Sequence, residues 1–152
     1  MRSLLIDTNI LMLHVVGSWS PLLISKSKRT SVFTEEDFDL LQMVLKPYSS
    51  LLVTPPILTE VTNLLMPTEG HKVLAQTMVS VFEGFDERSA DFRTVMADPA
   101  FWRLGFTDTM IAILAADQID VLTNDVHLYA ELLARGVNVT NFNHLRTDKL
   151  MG

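Results

Sequence analysis

The aliphatic run Leu4-Leu5-Ile6 stops on a carboxylate, Asp7, followed by Thr8 and Asn9. A short apolar run of this kind is the mark of a strand buried on both faces, and such strands belong to parallel sheets covered by helices. In open parallel sheets ligands bind outside the carboxyl ends of the strands, so the run delivers an acid to that edge. The pattern returns late in the chain, where Val121-Leu122-Thr123 discharges into Asn124-Asp125. Parallel strands need long, usually helical crossovers, and the pair therefore points to the α/β class.

The intervening sequence supplies those crossovers. Thr8 is expected to cap a helix over residues 9–16, with Ile10, Leu13 and His14 along one face and Gly17 as its end. Residues 17–34 carry many serines and no sustained periodicity, so they read as a long loop or flexible arm. Lys26, Lys28 and Arg29 fall there, a basic cluster suited either to a phosphate backbone or to plain solvation. Thr34 followed by Glu35, Glu36 and Asp37 opens a helix that Pro47 closes. Leu51-Leu52-Val53 is a second strand, and Thr54-Pro55-Pro56 starts the next helix. At about 100° per residue, Glu60 sits at the border of the apolar arc formed by Ile57, Leu58, Val61, Leu64 and Leu65. A carboxylate there is costly unless it is paired, protonated or metal-bound.

Residues 68–85 form an amphipathic pattern, and Asp98-Pro99 interrupts a helix spanning about 92–104. Beyond Gly105, Thr107 is expected to cap the apolar helix Met110-Ile111-Ala112-Ile113-Leu114-Ala115-Ala116, which puts Asp108 in its first turn. A helix over 126–134 ends at Gly136, a fourth strand covers 137–139, and residues 143–152 read as a polar tail that frays. A single domain over residues 1–142 accommodates all of this.

Composition narrows the function classes. The formal charge of −6, from 12 Lys and Arg against 18 Asp and Glu, argues against nucleic-acid capture by the surface as a whole while leaving room for a local basic groove. Cysteine is absent, which excludes disulfides, thiolate zinc sites and a cysteine nucleophile and suits a reducing compartment. No apolar stretch of roughly 18 uncharged residues is present to span a membrane, so a cytoplasmic location is expected.

Asp7 and Asp125 end strands, Asp108 opens a helix and Glu60 borders a buried face; a parallel fold brings all four to one edge. Carboxylates that close repel unless hard divalent cations offset them, and oxygen-only ligands favour Mg²⁺ or Mn²⁺ over zinc. Ions so held activate water and stabilise a leaving oxygen, the chemistry of phosphodiester hydrolysis without a protein nucleophile.

At these residues the chain resembles the PIN-domain ribonucleases. Leu5-Ile6-Asp7-Thr8-Asn9 is similar to the first motif of that family, Thr59-Glu60 to its second, Thr107-Asp108 to its third and Leu122-Thr123-Asn124-Asp125 to its fourth, in order over nearly the whole chain. The resemblance implies a three-layer α/β/α fold with a central four- or five-stranded parallel sheet. It implies a Mg²⁺- or Mn²⁺-dependent endoribonuclease acting on RNA, with Asp7, Glu60, Asp108 and Asp125 as catalytic metal ligands. Thr8, Asn9 and Thr123 match positions that hydrogen-bond the carboxylates or metal waters. Homodimers are implied as well, and among small members the nearest resemblance is to toxins of VapC type, each neutralised by an antitoxin protein. A phosphotransferase of the haloacid-dehalogenase type would carry a second Asp where this chain has Asn9. The remaining rival is a PIN-like scaffold that binds RNA or a protein without cleaving.

Overall fold

The computed structural model describes residues 2–66 and 72–151. Five strands form one sheet: β1 (Ser3–Ile6), β2 (Ser50–Val53), β3 (Phe85–Glu87), β4 (Ile119–Thr123) and β5 (Val139–Asn141). All neighbours pair in parallel, in the order β3-β2-β1-β4-β5. Leu5 lies level with Leu52 on one side and Val121 on the other, and each of the three is buried. The chain first moves outward from β1 through β2 to β3, then returns to the far side of β1 to lay down β4 and β5. That reversal puts the topological switch point between β1 and β4, the two strands that end in Asp7 and run on to Asp125.

The helices are α1 (Thr8–Trp19), α2 (Glu35–Leu45), α3 (Pro55–Leu65), α4 (Lys72–Phe82), α5 (Phe92–Ala97), α6 (Phe101–Leu114), α7 (Val126–Ala134) and α8 (Phe142–Met151). Helix α1 packs against α2, α3 and α4, whereas α6 packs between α5 and α7. Because parallel crossovers are right-handed, outward and returning connections cover opposite faces of the sheet, giving three α/β/α layers. Among the described residues no helix is long and apolar enough to cross a membrane.

Several sequence expectations change. Asp7, rather than Thr8, is the N-cap of α1, its carboxylate accepting from the Thr8 amide. Helix α1 is buried nearly all round, not along one stripe, because three helices and the sheet enclose it. Gly17 does not end it. A Cβ at Gly17 would collide with the Phe38 ring, so glycine there permits the close approach of α2. The region 17–34 is pinned rather than free, with a 3-10 turn at Pro21–Leu23 and with Ile24, Thr30 and Phe33 buried. Thr30 Oγ1 donates to the Ile24 carbonyl at 2.6 Å, and Arg146 holds the Val32 carbonyl at 2.8 Å.

Phe85 belongs to an edge strand and not to the preceding helix. The short acidic Phe85-Asp86-Glu87 strand has only one half-buried residue, which conceals any alternation. The expected helix over 68–85 begins, within the described residues, at Lys72; positions 67–71 lie outside them. The strand expected at 137–139 is shifted to Val139–Asn141. The segment expected to fray forms α8, fixed by buried Phe142 and by Arg146, which reaches Asp37 on α2 at 3.0 Å. It is anchored by one buried ring at its start and by a long-range ion pair, so no apolar period announces it.

Candidate active site

A cleft of about 530 Å³ opens at the carboxyl ends of β1 and β4, and Asp7, Glu60, Asp108 and Asp125 all line it. Each arrives from a different segment: the end of β1, the middle of α3, the second half of α6 and the N-terminus of α7. Leu64, Leu104 and Phe106 add apolar wall, and among the described residues no Lys or Arg lines the cleft.

Asp7 is only 6% exposed. Its Oδ1 accepts from the Thr8 amide and its Oδ2 from Thr123 Oγ1, both at 2.7 Å. Thr123 Oγ1 accepts in turn from the Asp125 amide at 3.0 Å, so one buried hydroxyl ties the two strand-end acids together. Asp125 Oδ1 accepts from Leu128 N at 2.9 Å and caps α7. Glu60 is held from two layers: Thr8 Oγ1 donates to Oε2 at 2.8 Å and Thr107 Oγ1 to Oε1 at 3.1 Å.

The electrostatics follow from burial without a cation. Desolvation pushes the Asp7 carboxyl up, the Thr123 and Thr8 hydrogen bonds pull it back, and Asp125 and Glu60 raise it again by repulsion. Asp108 lacks comparable donors. Desolvation first, then the charges of Asp7, Asp125 and Glu60, push it up to about 8. A carboxyl in that position holds a proton at neutral pH unless positive charge is supplied.

Of the residues expected from sequence, the four acids and Thr8, Asn9 and Thr123 are brought to this edge, the first six of them directly onto the cleft wall. Thr8 and Thr123 each hold a carboxylate. Asn9 instead donates to Asn124 Oδ1 at 3.3 Å. Lys26, Lys28 and Arg29 are exposed and none lines the cleft; Lys26 borders a separate hollow with Val16, Trp19 and Leu23. Two further residues shape the cleft. Thr107, expected as a helix cap, instead spans the cleft to Glu60, a contact between residues 47 positions apart that no local pattern signals. Gly105 interrupts α6 with φ 80° and ψ −178° and forms part of the cleft wall.

Four oxygen-bearing acids that, among the described residues, share the cleft with no basic side chain are the donor type that hard divalent cations such as Mg²⁺ or Mn²⁺ take. Asp7, Glu60, Asp108 and Asp125 are the residues able to hold such an ion. As the side chains stand, no group of three or more His, Asp or Glu among the described residues is arranged to ligate one ion. Glu60 in particular has both oxygens engaged by threonines. No protein-family model matches the chain, and no curated protein matches it.

Proposed function

We propose that the protein is a Mg²⁺- or Mn²⁺-dependent endoribonuclease of PIN-domain type that hydrolyses RNA phosphodiester bonds in the Asp7–Glu60–Asp108–Asp125 cleft. The observation that supports it most is the convergence of four acids from four segments on the switch point of a parallel sheet, with no cation lining the cleft among the described residues. A bound divalent ion supplies an activated water and charge stabilisation for the leaving oxygen. The chain's own residues do the rest. Thr8 N–H and Thr123 Oγ1 hold the Asp7 carboxylate in one orientation, and Thr8 and Thr107 aim Glu60. Asp108, pushed up to about 8, holds a proton at the cleft wall that positive charge releases. The apolar wall of Leu64, Leu104 and Phe106 lowers the local polarity and strengthens each of these interactions.

The deciding experiment compares wild type with Asp7→Asn on structured RNA in Mg²⁺ and Mn²⁺. Cleavage is expected to fall by at least ~100-fold in the variant, with the circular-dichroism spectrum unchanged. Equal activity in the two proteins overturns the reading, and RNA binding without any cleavage replaces it with the non-catalytic scaffold. The reading extends to a cytoplasmic homodimer serving as the toxin of a toxin–antitoxin pair. On it, expression of the wild-type chain alone arrests growth, and expression of Asp7→Asn does not.

A further inference from the structure

The α5–α6 shoulder beside the cleft carries an unusual surface. Trp102 is 83% exposed and Phe92 49%, and each has its neighbouring arginine over the ring: Arg103 Cζ lies 5.9 Å from the Trp102 ring centroid and Arg93 Cζ 4.4 Å from that of Phe92. Contiguous exposed apolar surface is ordinarily avoided unless something covers it. Met96, also exposed, follows Phe92 by four residues and so shares its face of α5. Trp102 precedes Gly105 by three residues, and positions i and i+3 share one side of a helical turn. That turn is intact, with the Leu104 amide bonded to the Ala100 carbonyl at 2.9 Å. Gly105 lines the cleft, so Trp102 stands three residues, about one helical turn of backbone, before a residue of the cleft wall.

We propose that Trp102 and Phe92, with Arg103 and Arg93, form a stacking platform that seats the bases of single-stranded RNA next to the scissile bond. The inference deepens the ribonuclease reading and rests on it for the link to cleavage. Exposed aromatic faces beside guanidinium groups are the combination by which proteins hold unpaired nucleotides: rings take bases of any sequence, and arginines attract the backbone. The charge balance favours that occupant. An acidic cleft in a chain of charge −6 repels phosphates, and Arg103, which directly precedes Leu104 of the cleft wall, and Arg93 on α5 supply positive charge on this shoulder. Arg93 is 77% exposed, with only a 4.0 Å contact to exposed Asp91, whereas Arg103 shares its charge with Glu131 at 2.7 Å. Arg93 is therefore the freer of the two to meet a phosphate. A paired duplex hides its base faces and gains nothing from the platform.

The test separates binding from cleavage. In the Asp7→Asn background, affinity for a fluorescein-labelled unstructured RNA of about ten nucleotides is measured by anisotropy, alongside the same sequence as a duplex. Trp102→Ala is expected to raise Kd for the single strand about tenfold, Trp102→Phe to restore most of the loss and Trp102→Leu to restore little. Duplex affinity is expected to stay unchanged. With Asp7 intact, Trp102→Ala is expected to raise KM with little change in kcat. Because the indole is almost wholly exposed, these variants leave the core untouched. Unchanged single-strand affinity in Trp102→Ala, or full rescue by Leu, overturns the platform. Loss of self-association by sedimentation with RNA affinity retained also overturns it and makes the shoulder a protein-docking face. Trp102-dependent binding without cleavage in the wild type leaves the platform standing and removes the ribonuclease reading; cleavage with no Trp102 dependence does the reverse.

Discussion

Asp7 and Asp120 are similarly buried, at 6% and 4% exposure, Asp7 just past the carboxyl end of β1 and Asp120 near the amino end of the adjacent β4. Their surroundings differ in one respect. Asp120 meets a cation: the Arg2 guanidinium bonds both of its oxygens, Nε at 3.0 Å, and Tyr48 Oη donates at 2.8 Å. Burial works against its charge, yet the hydrogen bonds from Arg2, Tyr48 and Asn138 outweigh it and hold the carboxyl below the usual range. The same arrangement, burial foremost, pushes the Tyr48 phenol up to about 12. Asp7 has threonine and amide donors only, and its carboxyl is pushed up. Burial alone therefore does not decide the state of an acid; the partner does. The amino end of the sheet is electrically closed, and the carboxyl end is left short of positive charge.

The comparison breaks most visibly at the closed end. Asp120→Asn removes the charge that Arg2 and Tyr48 are arranged around, and is expected to lower the melting temperature by roughly 10 °C. Arg2 can turn to solvent, which limits the loss, and RNA cleavage per folded molecule is expected to stay at the wild-type level. Asp7→Asn, by contrast, relieves an uncompensated charge and is expected to leave the melting temperature within a few degrees (about 3 °C) or raise it. Thermal melts of the two variants in chelator-treated buffer check the contrast; similar losses in both erase it.

A smaller effect sharpens it. Asp7 and Asp108 both have folded-state pKa values above their unfolded ones, so the folded state holds the extra protons. The stability this brings is complete below about pH 4 and is lost as pH rises through about 8 for Asp108. Metal-free protein is thus expected to lose melting temperature across that window. Asp108→Asn is expected to flatten the decline and to gain roughly 5 °C at pH 8. Mg²⁺ or Mn²⁺ is expected to stabilise wild type more than this variant, measured by melts over a pH series. A flat profile in the metal-free wild type contradicts the electrostatic picture.

The smallest effect tests the hydroxyl that joins the two strand ends. Thr123→Val keeps the shape but leaves Asp7 Oδ2 and the Asp125 amide each one partner short. A melting loss of about 3 °C and a several-fold fall in cleavage are expected, the latter because Asp7 is no longer held in one orientation. Unchanged kinetics would reduce Thr123 to a packing residue.

Much of this layout is legible in the residues themselves. The two central strands announce themselves because both faces are buried, leaving uninterrupted runs such as Leu4-Leu5-Ile6 and a polar stop at the carboxyl edge of the sheet. The border position of Glu60 follows from helical spacing alone, whereas Asp108, expected in a first turn, lies in the second half of α6, beyond the break at Gly105. What stays hidden depends on partners distant in sequence. The 3-residue strand at Phe85–Glu87 lies on an edge and owes its structure to pairing with β2. Helix α8 depends on Phe142 and on Arg146 meeting Asp37, and Gly17 depends on a ring from the next helix. Asp7 and Thr8 trade the capping role because the local sequence permits both, and the Thr8 hydroxyl is drawn away to Glu60.

Gly105 leaves α6 as two short rods joined at a single residue, one bearing Trp102 and the other Asp108. The angle between the rods is set by two backbone torsions, φ 80° and ψ −178°, a combination open in practice to glycine alone. No neighbouring atom lies within 4 Å of where a Cβ would stand, so space does not forbid another residue there; torsion does. Any replacement must turn the joint toward ordinary helix and swing the indole relative to the acid. The relative aim of a surface ring and a cleft carboxylate is thereby encoded in the one position of the helix that has no side chain.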